Sequence, residues 1–400
     1  MKAPIMTPVN LIKSLEKHKS EARITIFSPD DSLLAVVASN GGCINIYRTS
    51  TSILQTSTMK HKDIIWDISF PASSAHILSA SDDGTARLFN TTTGALERQF
   101  HDDSEGWNDE RMFVACFTPD GKAIATGTDI VQIWNLETGE LVRELIGPRD
   151  VLPVASIEAM GNVLQDETSI SSIEFSPDGR FLVSVGSGGW SDQLRIWDMQ
   201  TWELWFECEG SGAVFSVEGK KFAVTGGEEV KLWDTRTRTL EHTFQGNSPV
   251  FSPDGDVIAT SSRSHTIHLW DVGSGHLLHE LSGYGTAAPS VLFTSDSTTL
   301  LSNSGRIVHV WDVISGHLEL LLEDHEKQIH TMALSPDGIT LVTGSKDRTV
   351  RLWDVNTGDC LQILRGHVGE VRGVAFSSDG KRLVTSDDGG KDLLWEAQSC

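Results

Sequence analysis

His61, Ser79 and Asp83 bring together the side-chain types of a nucleophilic triad, in which a carboxylate orients an imidazole that takes a proton from a hydroxyl. Yet the combination of His, Ser or Thr, and Asp returns about every 40 residues along the chain. An active site does not repeat with such a period, so these residues point to a framework in which buried imidazoles need partners. Other chemistry has no carrier. The chain holds no GxxxxGKS phosphate loop, no HExxH pair and no His/Cys cluster at metal-ligand spacing. Its acidic loops lack the ordered ligand spacing of a calcium site. Cys43, Cys116, Cys208, Cys360 and Cys400 are scattered without a CxxC pair, and read as reduced thiols. No catalytic residue, metal or cofactor is expected.

The element that recurs with these residues is a strand ending in an aromatic. It reads DRTVRLWD at Asp347–Asp354, LRIWD at Leu194–Asp198, VKLWD at Val230–Asp234, IHLWD at Ile267–Asp271 and VHVWD at Val308–Asp312. Weaker copies end at Tyr47, Phe89, Trp134 and Trp395. The steps between the nine aromatics are 42, 45, 63, 36, 37, 41, 42 and 42 residues. A strand-rich period near 40 is the signature of a propeller array. Each repeat reads as four short strands, cut by turns such as Pro336-Asp337-Gly338 and Asn356-Thr357-Gly358.

At these residues the chain resembles the WD40-repeat family, over essentially its whole length. The resemblance implies one four-stranded blade per repeat, a rigid interaction platform and no enzymatic activity. It also implies a hydrogen-bonded set of His, Ser or Thr, Asp and Trp within a blade. By position that set falls on His325, Thr343, Asp347 and Trp353. It falls on His61, Ser79 and Asp83 with Phe89 replacing the indole, and on His367, Thr385 and Trp395 with the acid displaced to Asp387 or Asp388. Ser264 and Gly305 stand where an Asp is expected, so those blades should depend on packing.

The expected fold class is therefore all-β: a single closed propeller of nine four-stranded blades spanning residues 1–400. The last repeat lacks a fourth strand, and an unpaired edge is a liability. Leu11-Ile-Lys-Ser-Leu-Glu-Lys-His18 aligns without gaps on Cys360-Leu-Gln-Ile-Leu-Arg-Gly-His367. Residues 9–18 are accordingly expected to supply the outer strand of the last blade and close the ring. The alternative is eight blades in the ring with one degenerate repeat packed outside it, since nine exceeds the usual range.

Function has to be sought where the repeat is broken. The link His101–Arg111 is long and acidic, with Asp102, Asp103 and Glu105 beside Trp107. The link 147–168 is the insertion behind the 63-residue step, and the turn Gly186–Asp192 carries Trp190. All three emerge on one face, over the third and fourth blades. Four residues before each core apolar position of the innermost strand, the channel mouth should be lined by Arg23, Trp66, Phe113, His330 and Arg372, among others. Aromatic and Arg side chains are common anchors at binding surfaces, while the bland alternative is that they cap or plug the blade ends.

The net charge of −23 favours basic partners over nucleic acid or an anionic membrane. The expectation is a non-enzymatic protein-interaction scaffold binding a basic peptide or protein segment within a multiprotein complex, as a monomeric ring. Its rival is a carbohydrate- or small-molecule-binding propeller, with or without hydrolytic activity. No apolar run approaches 18 residues and the N-terminus lacks a signal-peptide core, so a soluble cytoplasmic or nuclear location is expected.

Overall fold

The computed structural model describes residues 9–14, 22–38, 42–51, 53–100, 112–146, 169–187, 192–282 and 290–397. Turn chemistry cuts the chain into short strands. In Ser-Pro-Asp-Gly turns, Ser176 donates its hydroxyl to Asp178 and Ser252 to Asp254, both at 2.6 Å. The glycines that follow, Gly179 and Gly255, take φ values of 68° and 78°, where a Cβ is disfavoured. The third turn of each repeat explains the Asp of Trp-Asp. Asp354 accepts the N–H groups of Asn356 at 2.8 Å and Thr357 at 3.0 Å. The Thr237 N–H holds the Asp234 carboxyl below its usual range, and the Ser274 and Ser315 hydroxyls, followed by their N–H groups, do the same for Asp271 and Asp312.

The described strands form nine antiparallel four-stranded blades. Eight take their strands in chain order; blade 8 is Ile329–Leu334, Thr340–Ser345, Val350–Asp354 and Cys360–Leu364. First strands of neighbouring blades lie against each other, as in blades 2 and 3 and in blades 8 and 9, which makes them innermost. Blade 9 combines Val371–Phe376, Arg382–Asp387 and Asp392–Ala397 with Val9–Ser14 as its outer strand.

The closing strand copies the register of a regular one. Leu11 pairs with Trp395 and Ser14 with Leu393, with a bulge after Leu11. In blade 8, Cys360 pairs with Trp353 and Ile363 with Arg351, with a bulge at the same place. Gln362 of blade 8 clamps the closing strand from the side. Its amide N–H donates to the Val9 carbonyl at 2.8 Å, and its Oε1 accepts the Val9 N–H at 2.7 Å. Residues 15–18 and 147–168 lie outside the described residues.

The hydrophobic core is distributed among the interfaces between blades. Leu78, Leu88 and Phe100 of blade 2 pack against Ile124 and Trp134 of blade 3. Phe181 and Trp205 of blade 4 pack against Phe222 of blade 5. Leu34, Val36 and Tyr47 of blade 1 pack against Val384 and Leu394 of blade 9. Every blade packs in this way on both neighbours, so the ring has nine members and no repeat stands outside it.

Candidate functional site

The residues singled out at the channel mouth share a backbone feature. In the innermost strands the pairing register shifts between Ala22 and Ile24, Ile65 and Asp67, Ile329 and Thr331, and Val371 and Gly373. Arg23, Trp66, His330 and Arg372 are the extra residues of these bulges. A bulge re-aims one side chain out of the alternation of its strand, which is how a strand packed on both faces presents a residue at its end. Phe113 lies immediately before the first strand of blade 3, Val114–Phe117. The side chain of Arg23 lies outside the described residues, as do Asp102, Asp103, Glu105, Trp107 and Trp190.

Two clusters stand at this end of the ring. Trp66 meets Phe113 edge-on, with ring centroids 5.6 Å apart, and donates its indole N–H to Asp82 Oδ1 at 2.6 Å. Both rings are half-buried. In blades 8 and 9, three donors converge on the carboxylate of Glu370. His330 Nε2 lies 3.0 Å from Oε2, Lys346 Nζ 3.0 Å from Oε1, and an Arg372 guanidinium nitrogen 2.7 Å from Oε2. The hydrogen bonds from Lys346 and then His330 hold the Glu370 carboxyl below its usual range. Asp82, Lys346 and Glu370 were missed by the sequence reading. A signal was present: Asp82 and Lys346 each stand one residue before the turn acids Asp83 and Asp347.

The triad-like sets sit in the body of the blades. His325 Nδ1 is 2.7 Å from Asp347 Oδ2 and its Nε2 is 2.7 Å from Thr343 Oγ1, which also accepts the Trp353 indole N–H at 2.9 Å. In blade 9 the acid on His367 is Asp387, at 3.1 Å, while Asp388 accepts the Glu370 N–H at 2.7 Å. His367 Nε2 is 2.7 Å from Thr385 Oγ1, which accepts the Trp395 indole N–H at 2.9 Å. In blade 2, His61 joins Asp83 at 3.0 Å and Ser79 at 2.7 Å, and Phe89 adds no donor. Ser79, Thr343 and Thr385 are fully buried, so none of these hydroxyls is open to a substrate.

Electrostatics within the sets follow from burial and hydrogen bonding. Burial lowers the pKa of His61 and outweighs the hydrogen bond to Asp83. Burial alone would raise Asp83, Asp347 and Asp387, but the bonds donated by His61, His325 and His367, with turn N–H groups, hold them below the usual range. Two acids outside the sets shift the other way. Burial pushes Asp67 and Asp392 up to about 6, and pushes the Cys116 thiol up to about 12. Among the described residues, no three His, Cys, Asp or Glu side chains are grouped to hold a metal ion. Among the same residues, no helix is long and apolar enough to cross a membrane.

Comparison with known proteins adds three findings. The family model described as WD domain, G-beta repeat matches residues 53–90, 161–198, 238–271, 316–354 and 358–396. The fourth of these spans begins before the outer strand of blade 7 and ends with the third strand of blade 8, so the sequence repeat straddles two blades. Over 127 residues the chain is 27% identical to Pre-mRNA-processing factor 19 homolog 2 of Arabidopsis thaliana. That match covers 31% of this chain and only 19% of the relative. The solved structure of the computationally designed Ika8 protein superposes with a TM-score of 0.59 at 20% identity, covering 96% of this chain and 99% of that one, a likeness of fold alone.

Proposed function

We propose that this chain, which belongs to the WD40-repeat β-propeller family, is a non-enzymatic scaffold whose loop-rich face over blades 1 to 4 receives a basic peptide or protein segment. WD40 propellers are commonly protein-interaction scaffolds, and the ring here owes its cohesion to packing between blades rather than to its variable loops. The observation that carries the placement is the half-buried Trp66–Phe113 pair, whose indole is tethered to Asp82. An aromatic surface beside carboxylates suits a Lys or Arg side chain through charge attraction and cation–π contact. Asp102, Asp103, Glu105, Trp107 and Trp190 are assigned to the same face from their places in the sequence, and the net charge of −23 supplies long-range attraction. The match to a relative named as a pre-mRNA-processing factor favours work within a multiprotein complex, in the nucleus or cytoplasm.

The test is capture of binding proteins from native extract by the intact protein, beside a Trp66→Ala, Trp107→Ala, Trp190→Ala triple variant of matched thermal stability. The proposal expects specific proteins with the intact form and their loss with the variant. Equal capture by both moves the site elsewhere. Capture of no specific protein, together with saturable binding of a small ligand, would instead support a small-molecule-binding propeller.

A further inference from the structure

The ring closes between blades 9 and 1, and a cleft of about 330 Å³ opens at that seam. Its origin is two small residues. Asp67 and Ser69 of blade 2 reach across to the Ala115 backbone of blade 3, each at 3.3 Å. At the matching places of blade 9, the side turned toward blade 1 carries Gly373 and Ala375. Neither backbone angle nor crowding demands glycine at 373. Its φ is not in the left-handed region, and a Cβ there would meet nothing nearer than the Ser386 Cβ at 3.5 Å. The cleft wall continues through Val384 and Ser386 of blade 9 and Thr25 of blade 1, with the Thr25 and Ser386 hydroxyls 3.4 Å apart.

Arg372 also lines this cleft, which joins it to the cluster on Glu370. One carboxylate is shared there among Arg372, Lys346 and His330. The Arg372 and Lys346 side chains are 54% and 48% exposed, enough to meet a second anion. A guanidinium carries five N–H donors in a planar fork suited to carboxylate. In a chain of net charge −23, this is a local site of opposite character.

We propose that the seam is a second binding site, for an extended peptide segment bearing an acidic side chain and, two residues away, a small apolar one. Alternate residues of an extended chain point to the same side, so both side chains can face the seam together. The acid pairs with Arg372 and Lys346, and the apolar group enters beside Gly373, Ala375 and Val384. Glu370 stands in for the partner's carboxylate in the unbound protein. This site prefers charge opposite to that of the face on blades 1 to 4, and stands or falls separately from it.

The experiment selects from a random seven-residue peptide library on the full-length protein, then measures fluorescein-labelled selected peptides by anisotropy. The expected peptides share Asp or Glu with an apolar residue two positions away. Arg372→Glu and Gly373→Val should each weaken them by about tenfold or more, with melting temperatures unchanged. Reversing Asp102, Asp103 and Glu105 should not weaken them, since it only reduces the negative field of the chain. No enrichment, enrichment without an acid, or binding unaltered by Arg372→Glu overturns the proposal. Arg372 is exposed and its replacement should fold, so that arm decides even if Gly373→Val proves unstable.

Discussion

Trp233 and Trp353 hold the same place in different blades but meet different polar surroundings. The Trp353 N–H has Thr343 as acceptor, whereas the buried Trp233 N–H has none. The register explains why: Val224 pairs opposite Lys231 in blade 5, where Thr343 pairs opposite Arg351 in blade 8. Thr343→Val strands the Trp353 donor and one His325 nitrogen, and should cost about 3 kcal/mol in urea unfolding. Val224→Thr supplies the missing acceptor and should gain about 1 kcal/mol. A loss at Val224→Thr would mean that the hydroxyl disrupts the packing around it more than it helps the indole.

The shifted acids set a pH dependence whose sign differs between groups. Asp83, Asp347 and Asp387 have folded pKa values below the ordinary 3.8, so their contribution is present above 3.8 and lost as pH falls through the folded values. His61 is lowered from 6.5, so the unfolded chain takes its proton first and stability falls as pH drops below 6.5. Asp392 is raised from 3.8 to about 6, so its ionisation costs stability above 6 and that cost fades toward 4. Asp392→Asn should therefore be more stable than the parent at pH 8, on the order of 1–3 kcal/mol, and lose this advantage by about pH 4. Thermal unfolding at the two pH values checks it. A pH-independent difference would assign the change to hydrogen bonding instead.

At the scale of elements, two devices bind one blade to the next. The first is the closing strand, whose bulge and register reproduce those of blade 8. Deleting residues 1–18 should expose the edge of Asp392–Ala397, lower the melting temperature and cause concentration-dependent association on sizing. A peptide of residues 9–18 added in trans should reverse both effects, and failure to do so would deny this strand its closing role. The second device is a seat at the third turn of a blade. The rings of His242 and His279 lie over Gly275 and Gly316 of the following blade, so close that an added Cβ would stand 2.3 and 2.5 Å from ring atoms. Gly121 has a similar positive φ but nothing within 4 Å. Gly316→Ala should thus destabilise more than Gly121→Ala, by about 1–2 kcal/mol beyond their shared backbone strain.

At the scale of the whole molecule, the ring joins two ends of the chain and gathers charge over all of it. With a net charge of −23, association with a basic partner should be steered at long range. Its rate constant should fall as salt rises, with a weaker response in the dissociation rate. Reversing Asp102, Asp103 and Glu105 should slow association at low salt, and an unchanged rate would remove those acids from the encounter.

The amino-acid sequence by itself determined the repeat and the strand that closes the ring. These depend on local turn chemistry and on a period, and both are written within about 40 consecutive residues. The choice of nine blades over eight was decided by the packing of every blade on both neighbours. The spacing also singled out Trp66, His330 and Arg372, but could not show that each occupies a bulge. Only the tertiary structure decided what these side chains meet. Trp66 finds Phe113 on another blade, Arg372 and Lys346 share Glu370, and Thr25 faces Ser386 across 361 positions of chain. The seam cleft belongs to the same class. Gly373 and Ala375 look unremarkable in their own strand, and become a space only when blade 1 is brought beside them by closure of the ring. Contacts between blades depend on how the sheets twist and pack side by side, a relation that no single repeat contains.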